Sequence, residues 1–265
     1  MKKTVSLMLC AALLSAVVFG LCSCGAKVEY EDYGKYTPGD WAQSLLITSI
    51  DVEWLSGKVE IVSHVYGYLA VSESSENEIG DELKMHWYYD GTTLKIKPAA
   101  SGVAQDRVPE KTLTVYVPFG YSFSDIDIET VSAEVSISDS GANFIDVETV
   151  SGKVSLNLDG KSQQIEAATV SGDIELVGSA ARELELSSTS GNITAQGRVA
   201  ADQTEISTVS GNITLTLPAN SNLKTKLESV SGATENAFAN NAVGEGAKEV
   251  ELSSTSGNIT LKSKE

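Results

Sequence analysis

STVSGNITL, residues 207–215, is the stretch on which the fold turns, because the chain writes it again and again. Aligned on the same Ser-Gly pair are ETVSAEVSI at 129–137, ETVSGKVSL at 148–156, ATVSGDIEL at 168–176 and SSTSGNITA at 187–195. ESVSGATEN at 228–236 and SSTSGNITL at 253–261 follow, and DVEWLSGKVEI at 51–61 is an earlier copy. The anchoring serines, from Ser132 through Ser151, Ser171, Ser190, Ser210 and Ser231 to Ser256, lie 19, 20, 19, 20, 21 and 25 residues apart. A fixed period of this length marks one structural unit stacked on copies of itself.

Within each unit apolar residues alternate with period two, as a strand with one buried face requires. Ile145, Val147, Thr149 and Ser151 read as inward, and Asp146, Glu148 and Val150 as outward. After the Ser-Gly pair the parity shifts, so that Val154 and Leu156, Ile174 and Leu176, and Ile213 and Leu215 become the buried set. A parity break at glycine is what a corner needs. Two short strands per 20 residues cannot bury a face alone, but stacked in parallel register they form a continuous core. The pattern therefore predicts an all-β chain, a single-domain parallel β-solenoid with rungs of about 20 residues. The crossover rule favours a right-handed coil. A sandwich or antiparallel barrel competes, but neither predicts one motif returning in register. Stacking would put Thr130, Thr149, Thr169, Ser188, Thr208, Ser229 and Ser254 in one inward hydroxyl ladder and the Ser-Gly serines in a second.

Away from the repeat, the N-terminus reads as a targeting segment. Lys2 and Lys3 precede the uncharged run Val5–Gly20, which is too short for a comfortable membrane span. Leu21-Cys22-Ser23-Cys24-Gly25 then resembles the lipobox of bacterial lipoproteins, with residues 1–23 as signal peptide and Cys24 as the lipidated residue. Acyl chains there (palmitate-type, about 0.8 kcal/mol per buried methylene) would fix the protein to a membrane. All three cysteines, Cys10, Cys22 and Cys24, belong to this segment, so the remainder has no thiol or disulfide. Without Lys2 and Lys3, 17 basic side chains face 36 acidic ones, an excess that speaks against nucleic acid and anionic lipid surfaces.

Residues 24–44 lack periodicity and read as a tether, and 45–265 as the β-domain, irregular over 45–121 and regular over 122–265. Ser72–Glu82 is polar and acidic, a loop. Residues 83–98 read as a hairpin turning at Asp90-Gly91. KTLTVYVP at 111–118 is a strand that Pro118 stops, and 236–248 loosens into a loop. The chain's last strand, ending near Leu261, is expected at the exposed end, with Lys262 and Lys264 discouraging edge pairing.

Chemistry is sparse. His64 and His86 have no partner at ligand spacing, and no known catalytic, nucleotide or zinc motif is present, so no cofactor or metal site is predicted. Asp127, Glu129, Asp146 and Glu148 face outward on adjacent rungs at a spacing that could serve glycoside cleavage, though solvated surface accounts for them as well. Two candidate contact surfaces remain. One is the outward β-branched stripe Val131, Val150, Val170, Val209 and Val230; the other is the hairpin cluster Trp87, Tyr88 and Tyr89 beside His86. Strand propensity explains the first adequately, and packing over the solenoid's open end explains the second better than sugar stacking does. The three Asn-Ile-Thr triplets at Asn192, Asn212 and Asn258 recur because the repeat does.

The T-V-S-G-D/N-I-x-L repeat, introduced by the strand ending V-Y-V-P at 115–118, resembles the putative-adhesin family of bacterial envelope proteins. That family is related to the head domains of auto-transporter adhesins, and the resemblance runs from Leu45 to Leu261. It implies a single-domain parallel β-solenoid, lipidated or membrane-tethered, with no catalytic residues to carry over. The expected function is a non-enzymatic extracytoplasmic surface-binding protein, held to the membrane by Cys24 and engaging a glycan, a wall polymer or a surface protein. An envelope-stress or regulatory accessory of a membrane partner, and a polysaccharide lyase or hydrolase, are the alternatives.

Overall fold

The computed structural model describes residues 26–43, 47–238 and 247–265; Cys24 and the segment before it lie outside the described residues. Everything described is β-structure apart from loops and three 3-10 turns of three residues each. The irregular first part holds β1 (Thr37–Pro38), β2 (Trp41–Gln43), β3 (Ser49–Trp54), β4 (Gly57–His64), β5 (Leu69–Ser75), β6 (His86–Tyr89), β7 (Thr93–Lys97) and β8 (Lys111–Pro118). The repeats supply β9 (Ser122–Thr130), β10 (Glu134–Ser138), β11 (Gly141–Thr149), β12 (Val154–Asn157), β13 (Lys161–Thr169), β14 (Ile174–Ser188) and β15 (Ile193–Gly197). They continue as β16 (Gln203–Thr208), β17 (Ile213–Pro218), β18 (Leu223–Ser229), β19 (Thr234–Asn236), β20 (Lys248–Ser254) and β21 (Ile259–Lys264).

Strands that enter a corner stack in one ladder, β7-β3-β9-β11-β13-β14-β16-β20-β18, every neighbour parallel. Strands that leave a corner stack in a second, β8-β4-β10-β12-β14-β15-β17-β21-β19, also parallel. The register superimposes like on like: Ile128, Val147, Ala167, Leu186, Ile206 and Leu252 form one buried row, and Val135, Val154, Ile174, Ile193, Ile213 and Ile259 another. The alternation read from the sequence thus places its aliphatics inward.

The sheet is nevertheless mixed, not parallel throughout as expected. β5 runs antiparallel to β8 and β2 to β5, while β6 runs antiparallel to β7 and β1 to β6. The β6–β7 hairpin turns where the sequence placed it, with Asp90 Oδ1 accepting the Thr92 and Thr93 N–H groups and Gly91 at φ +105°. Residues 72–75, read as loop, belong to β5 because the edge of β8 offers them a ladder. The expected tether is also corrected for residues 26–43. Val28 is buried with Leu55, Ala99, Val103 and Val108, Trp41 joins the main core, and Gln105 N–H donates to the Ala26 carbonyl. Apolar side chains spaced along an apparently aperiodic segment were enough to lay it down on the end of the stack.

Spatial order departs from chain order at both ends. The β7–β8 course lies outside β3–β4, although it comes later in the sequence. At the far end the last course, β20–β21, lies between β16–β17 and β18–β19. The exposed end is therefore 223–236, not the strand that ends at Leu261. Thr234 and Asn236 stand there where interior courses carry aliphatic residues, Ile259 and Leu261 in the adjoining one.

Of the two expected hydroxyl ladders the inward one, from Thr130 to Ser254, is in register and buried, but the second, made of the Ser-Gly serines, is not. The Ser-Gly serines point out, and the following glycines face inward. A Cβ on Gly172 would sit 1.9 Å from the carbonyl oxygen of Gly152, on Gly191 1.8 Å from that of Gly172, and on Gly257 1.7 Å from that of Gly211. No side chain fits such an approach, so glycine is required for contact, with no positive φ involved. The hydroxyl three residues earlier completes the corner. Thr149 accepts the Gly152 N–H at 3.0 Å, Thr169 that of Gly172 at 2.9 Å and Ser188 that of Gly191 at 2.7 Å. Thr208 donates back to the Gly191 carbonyl at 3.2 Å and Ser254 to that of Gly211 at 3.1 Å. These hydroxyls are buried, so each bond also removes an unmet polar group from the core. Outside the corner the asparagines form their own ladder: Asn192 Oδ1 accepts the Asn212 N–H, and Asn212 Oδ1 the Asn258 N–H.

Candidate functional site

The outward face of the first ladder concentrates the charge. Asp51, Asp127, Asp146, Glu166, Glu185, Glu205 and Glu251 occupy successive courses in register, and the row ends on Lys95 at one side and Lys226 at the other. Parallel pairing fixes a repeat of about 4.8 Å between neighbours. A shorter row, Glu53, Glu129 and Glu148, runs beside it before giving way to Ala168, Ser187 and Ser207. The four carboxylates singled out in the sequence, Asp127, Glu129, Asp146 and Glu148, are thus brought together. The rest of the row went unread, although each of its members stands five residues before an anchoring serine and the signal lay in that offset.

Crowding has its electrostatic consequence. Burial first, and neighbouring carboxylates after it, push the carboxyls of Glu129 and Asp146 up to about 7. Asp127 is raised by the same two causes, Glu148 by burial, and Glu166 by burial and then Glu185 and Glu148. Asp146 Oδ1 finds no hydrogen-bond partner among the described residues. Lys97, itself buried, is ion-paired with Glu53 and lies 3.7 Å from Asp51, neutralising the row where the N-terminal segment covers it. Among the described residues no three of the Asp, Glu, His or Cys side chains converge as metal ligands. Further along the face, a depression of about 240 Å³ is lined by Gln164, Glu183, Glu185, Gln203 and Glu205, below the size of ordinary ligand pockets. Chemically the face can attract cations along a line, and near neutral pH it holds protonated and ionised carboxyls side by side.

The valine stripe is uneven. Val131 packs against the small core around Val28 and Leu55, Val150 and Val170 are half-buried beside the corner, and only Val209 and Val230 are exposed. In the hairpin, Trp87 and Tyr89 pack on the main core, Trp87 lies 5.9 Å from Trp41, and Tyr88 lies 5.5 Å from Tyr36. His86 is buried, its Nδ1 within 2.9 Å of the Lys84 carbonyl, and burial lowers its pKa. The hairpin is mainly an end cap. A second aromatic group, Tyr66, Tyr68, Tyr116 and Phe119 around the half-buried His64, is exposed instead, and the sequence did not mark it as a cluster. Its signal was V-Y-G-Y at 65–68 and P-F-G-Y at 118–121, aromatic residues where turns ordinarily carry small polar ones.

Residues 47–262 match the Toastrack DUF4097 family. Among solved structures the chain is similar to a putative adhesin from Bacteroides fragilis, at 16% identity over 84% of this chain and 95% of that one, with a TM-score of 0.46. It is similar to a putative lipid binding protein from Parabacteroides distasonis, at 17% identity over 85% and 96%, with a TM-score of 0.48. A putative cell adhesion protein from Clostridium sporogenes aligns at 16% identity over 86% and 100%, with a TM-score of 0.33. No curated protein matches.

Proposed function

The chain belongs to the Toastrack DUF4097 family, and from that membership we propose that it is a non-enzymatic, extracytoplasmic binding protein whose scaffold is a lipid-anchored β-solenoid. The observation that carries this reading is where the polar groups go. Corner hydroxyls and glycine amides satisfy one another inside, so the chemistry left for a partner lies in rows of outward side chains repeated along a rigid stack. A rigid repeated flank suits recognition of an extended partner better than capture of a small molecule. The lipobox-like Leu21-Cys22-Ser23-Cys24 supports the anchor, and the excess of acid over base argues against nucleic acid as the partner.

Two experiments test it. Mature protein from wild type and from Cys24→Ala would be fractionated and weighed intact; acyl mass on the wild type and loss of membrane association in the variant are expected. An unmodified N-terminus elsewhere overturns the anchor. For binding, fluorescently labelled mature chain would be mixed with whole bacterial cells, purified wall polymers and glycan arrays. Saturable retention on at least one is expected, and retention on none overturns the binding role.

One observation favours a second reading, a glycoside-cleaving enzyme: Glu129 and Asp146, raised to about 7, stand beside Asp127 and Glu148. Reducing ends released from wall polysaccharide, and lost in Asp146→Asn, would establish it over the first.

A further inference from the structure

We propose that the exposed aromatic platform around His64 is a binding subsite for a neutral glycan. This deepens the binding role proposed above and rests on it. The platform sits at the end of β4 and β8 remote from their Ser-Gly corner. Residues 64–68 form the turn from β4 to β5, Tyr116 lies on the outward face of β8, and Phe119 is in the turn that follows it. The register carries the apolar surface onto the sheet, since Val62 pairs with Tyr116, Tyr116 with Ala70 and Ala70 with Ala42. No charged side chain stands in that row.

The rings form an ordered group. Tyr66 and Tyr68 stack with centroids 5.8 Å apart and planes 17° from parallel. His64 stands edge-on between them and the sheet, 5.2 Å from Tyr68 and 6.0 Å from Tyr116. The turn is fixed by hydrogen bonds: His64 Nε2 donates to the Tyr68 carbonyl at 2.8 Å, and Phe119 N–H donates to the His64 carbonyl at 2.8 Å. Because a carbonyl only accepts, Nε2 must carry the proton, which leaves Nδ1 as an acceptor in the neutral ring. The exposure is high for such residues, at 61% for Tyr66, 79% for Phe119 and 89% for Val65.

Structural needs do not account for this. Strand preference explains an outward Tyr116, but turns have no use for Val65, Tyr66 and Phe119, where glycine, asparagine or aspartate would cost less exposed apolar area. A pyranose presents a flat C–H face to a ring and hydroxyls around its rim. Paired tyrosines match both, since each offers an apolar plane and a phenol that donates and accepts, with little rotamer entropy to lose. Neutral sugars fit better than acidic ones, because no lysine or arginine stands in the row that carries Tyr116 and the whole chain carries a formal charge of −17. Anionic lipid surfaces are disfavoured on the same ground, since interfacial patches recruit them with basic residues.

The test uses mature lipidated protein in detergent micelles on an array of neutral oligosaccharides of glucose, mannose, galactose and N-acetylglucosamine, with phosphatidylcholine vesicles in parallel. Saturable binding to at least one neutral glycan is expected. Tyr66→Ala combined with Phe119→Ala should weaken it about tenfold or more with circular dichroism unchanged, and Tyr66→Phe should keep most of it. Val150, Val170 and Val209 replaced together by threonine should leave it intact. Glycan binding unchanged in the double variant overturns the platform while leaving the binding role standing. So does an absence of neutral-glycan binding together with cell or vesicle retention that the double variant loses, which would assign the platform to a protein or to lipid. An absence of binding to glycans, vesicles, cells and wall polymers alike removes both.

Discussion

The repeat courses from β9 onward and the irregular courses before them solve one problem, closing two stacked sheets, by opposite means. In the repeats the solution is copied. At Gly152, Gly172, Gly191 and Gly232 the hydroxyl three residues earlier accepts the glycine amide, each corner glycine lies against a backbone carbonyl one course away, and the parallel register follows. In the irregular part each contact is individual. Lys111 and Glu73 form a buried ion pair at 2.7 Å, and the Lys111 ammonium also donates to the carbonyls of Leu83 and Pro98 and lies 4.8 Å from the centre of the Trp54 ring. Burial pulls the Lys111 pKa down while Glu73 opposes it. The difference teaches that periodicity can carry specificity cheaply inside a stack but not at its end, where no next copy exists. The end is closed by antiparallel strands and by polar bonds made once.

The sharpest way to break the comparison is a methyl group. Gly191→Ala should cost about 5 kcal/mol or more, because its Cβ meets the backbone of the neighbouring course and one course cannot shift without its neighbours. Gly80→Ala, with nothing within 4 Å, should be neutral. Thermal melts of the two variants check this, and equal midpoints would mean that the corner glycines are not contact-limited. Next in size is Glu73→Ala, which leaves the Lys111 ammonium buried and unpaired and should cost about 3–4 kcal/mol. If only the irregular courses depend on it, hydrogen exchange should quicken in 69–118 more than in 141–215.

Thr208→Val keeps the shape and deletes one copy of the corner bond, leaving the Gly191 carbonyl without its hydroxyl donor. About 2 kcal/mol is expected in chemical denaturation. A loss under about 0.5 kcal/mol would show that the ladder tolerates a missing member. The smallest effect concerns charge. Carboxyls raised to about 7 hold protons in the folded state that the unfolded chain releases near pH 4. The folded state therefore binds more protons between those values, and stability falls as pH rises through that window. The melting temperature should be higher at pH 5.5 than at pH 8. Asp146→Asn should add about 1 kcal/mol at pH 8, about 3 °C in a chain of this size, and narrow that gap. A melting temperature that rises with pH would refute the crowded row.

What the sequence disclosed divides along the same line. Inward aliphatics such as Ile145, Val147, Ile174 and Ile213, and the Thr149–Thr169–Thr208 hydroxyls, were legible because period two maps directly onto one face. The corner was misread by one residue, with Ser151 counted inward in place of Gly152, since alternation cannot be counted through a bend. The order of courses was hidden because a copy's own pattern does not record its neighbours. Thr234 and Asn236, polar where the other copies carry aliphatic residues, were the trace of an end position. The aromatic platform escaped because it belongs to turns, which carry no period at all.

The late insertion of β20–β21 between β16–β17 and β18–β19 also bears on how the molecule is made. A chain synthesised N-terminus first can wind its courses as they appear, up to β17. The segment 223–236 then has no finished neighbour until residues 248–264 have come through and wedged themselves beside it. The final segment acts as a keystone. A chain cut at residue 247 would lack an interior course, not a terminal one, and its 223–236 segment would be left without the strands it pairs with among the described residues, an unanchored strip open to proteolysis.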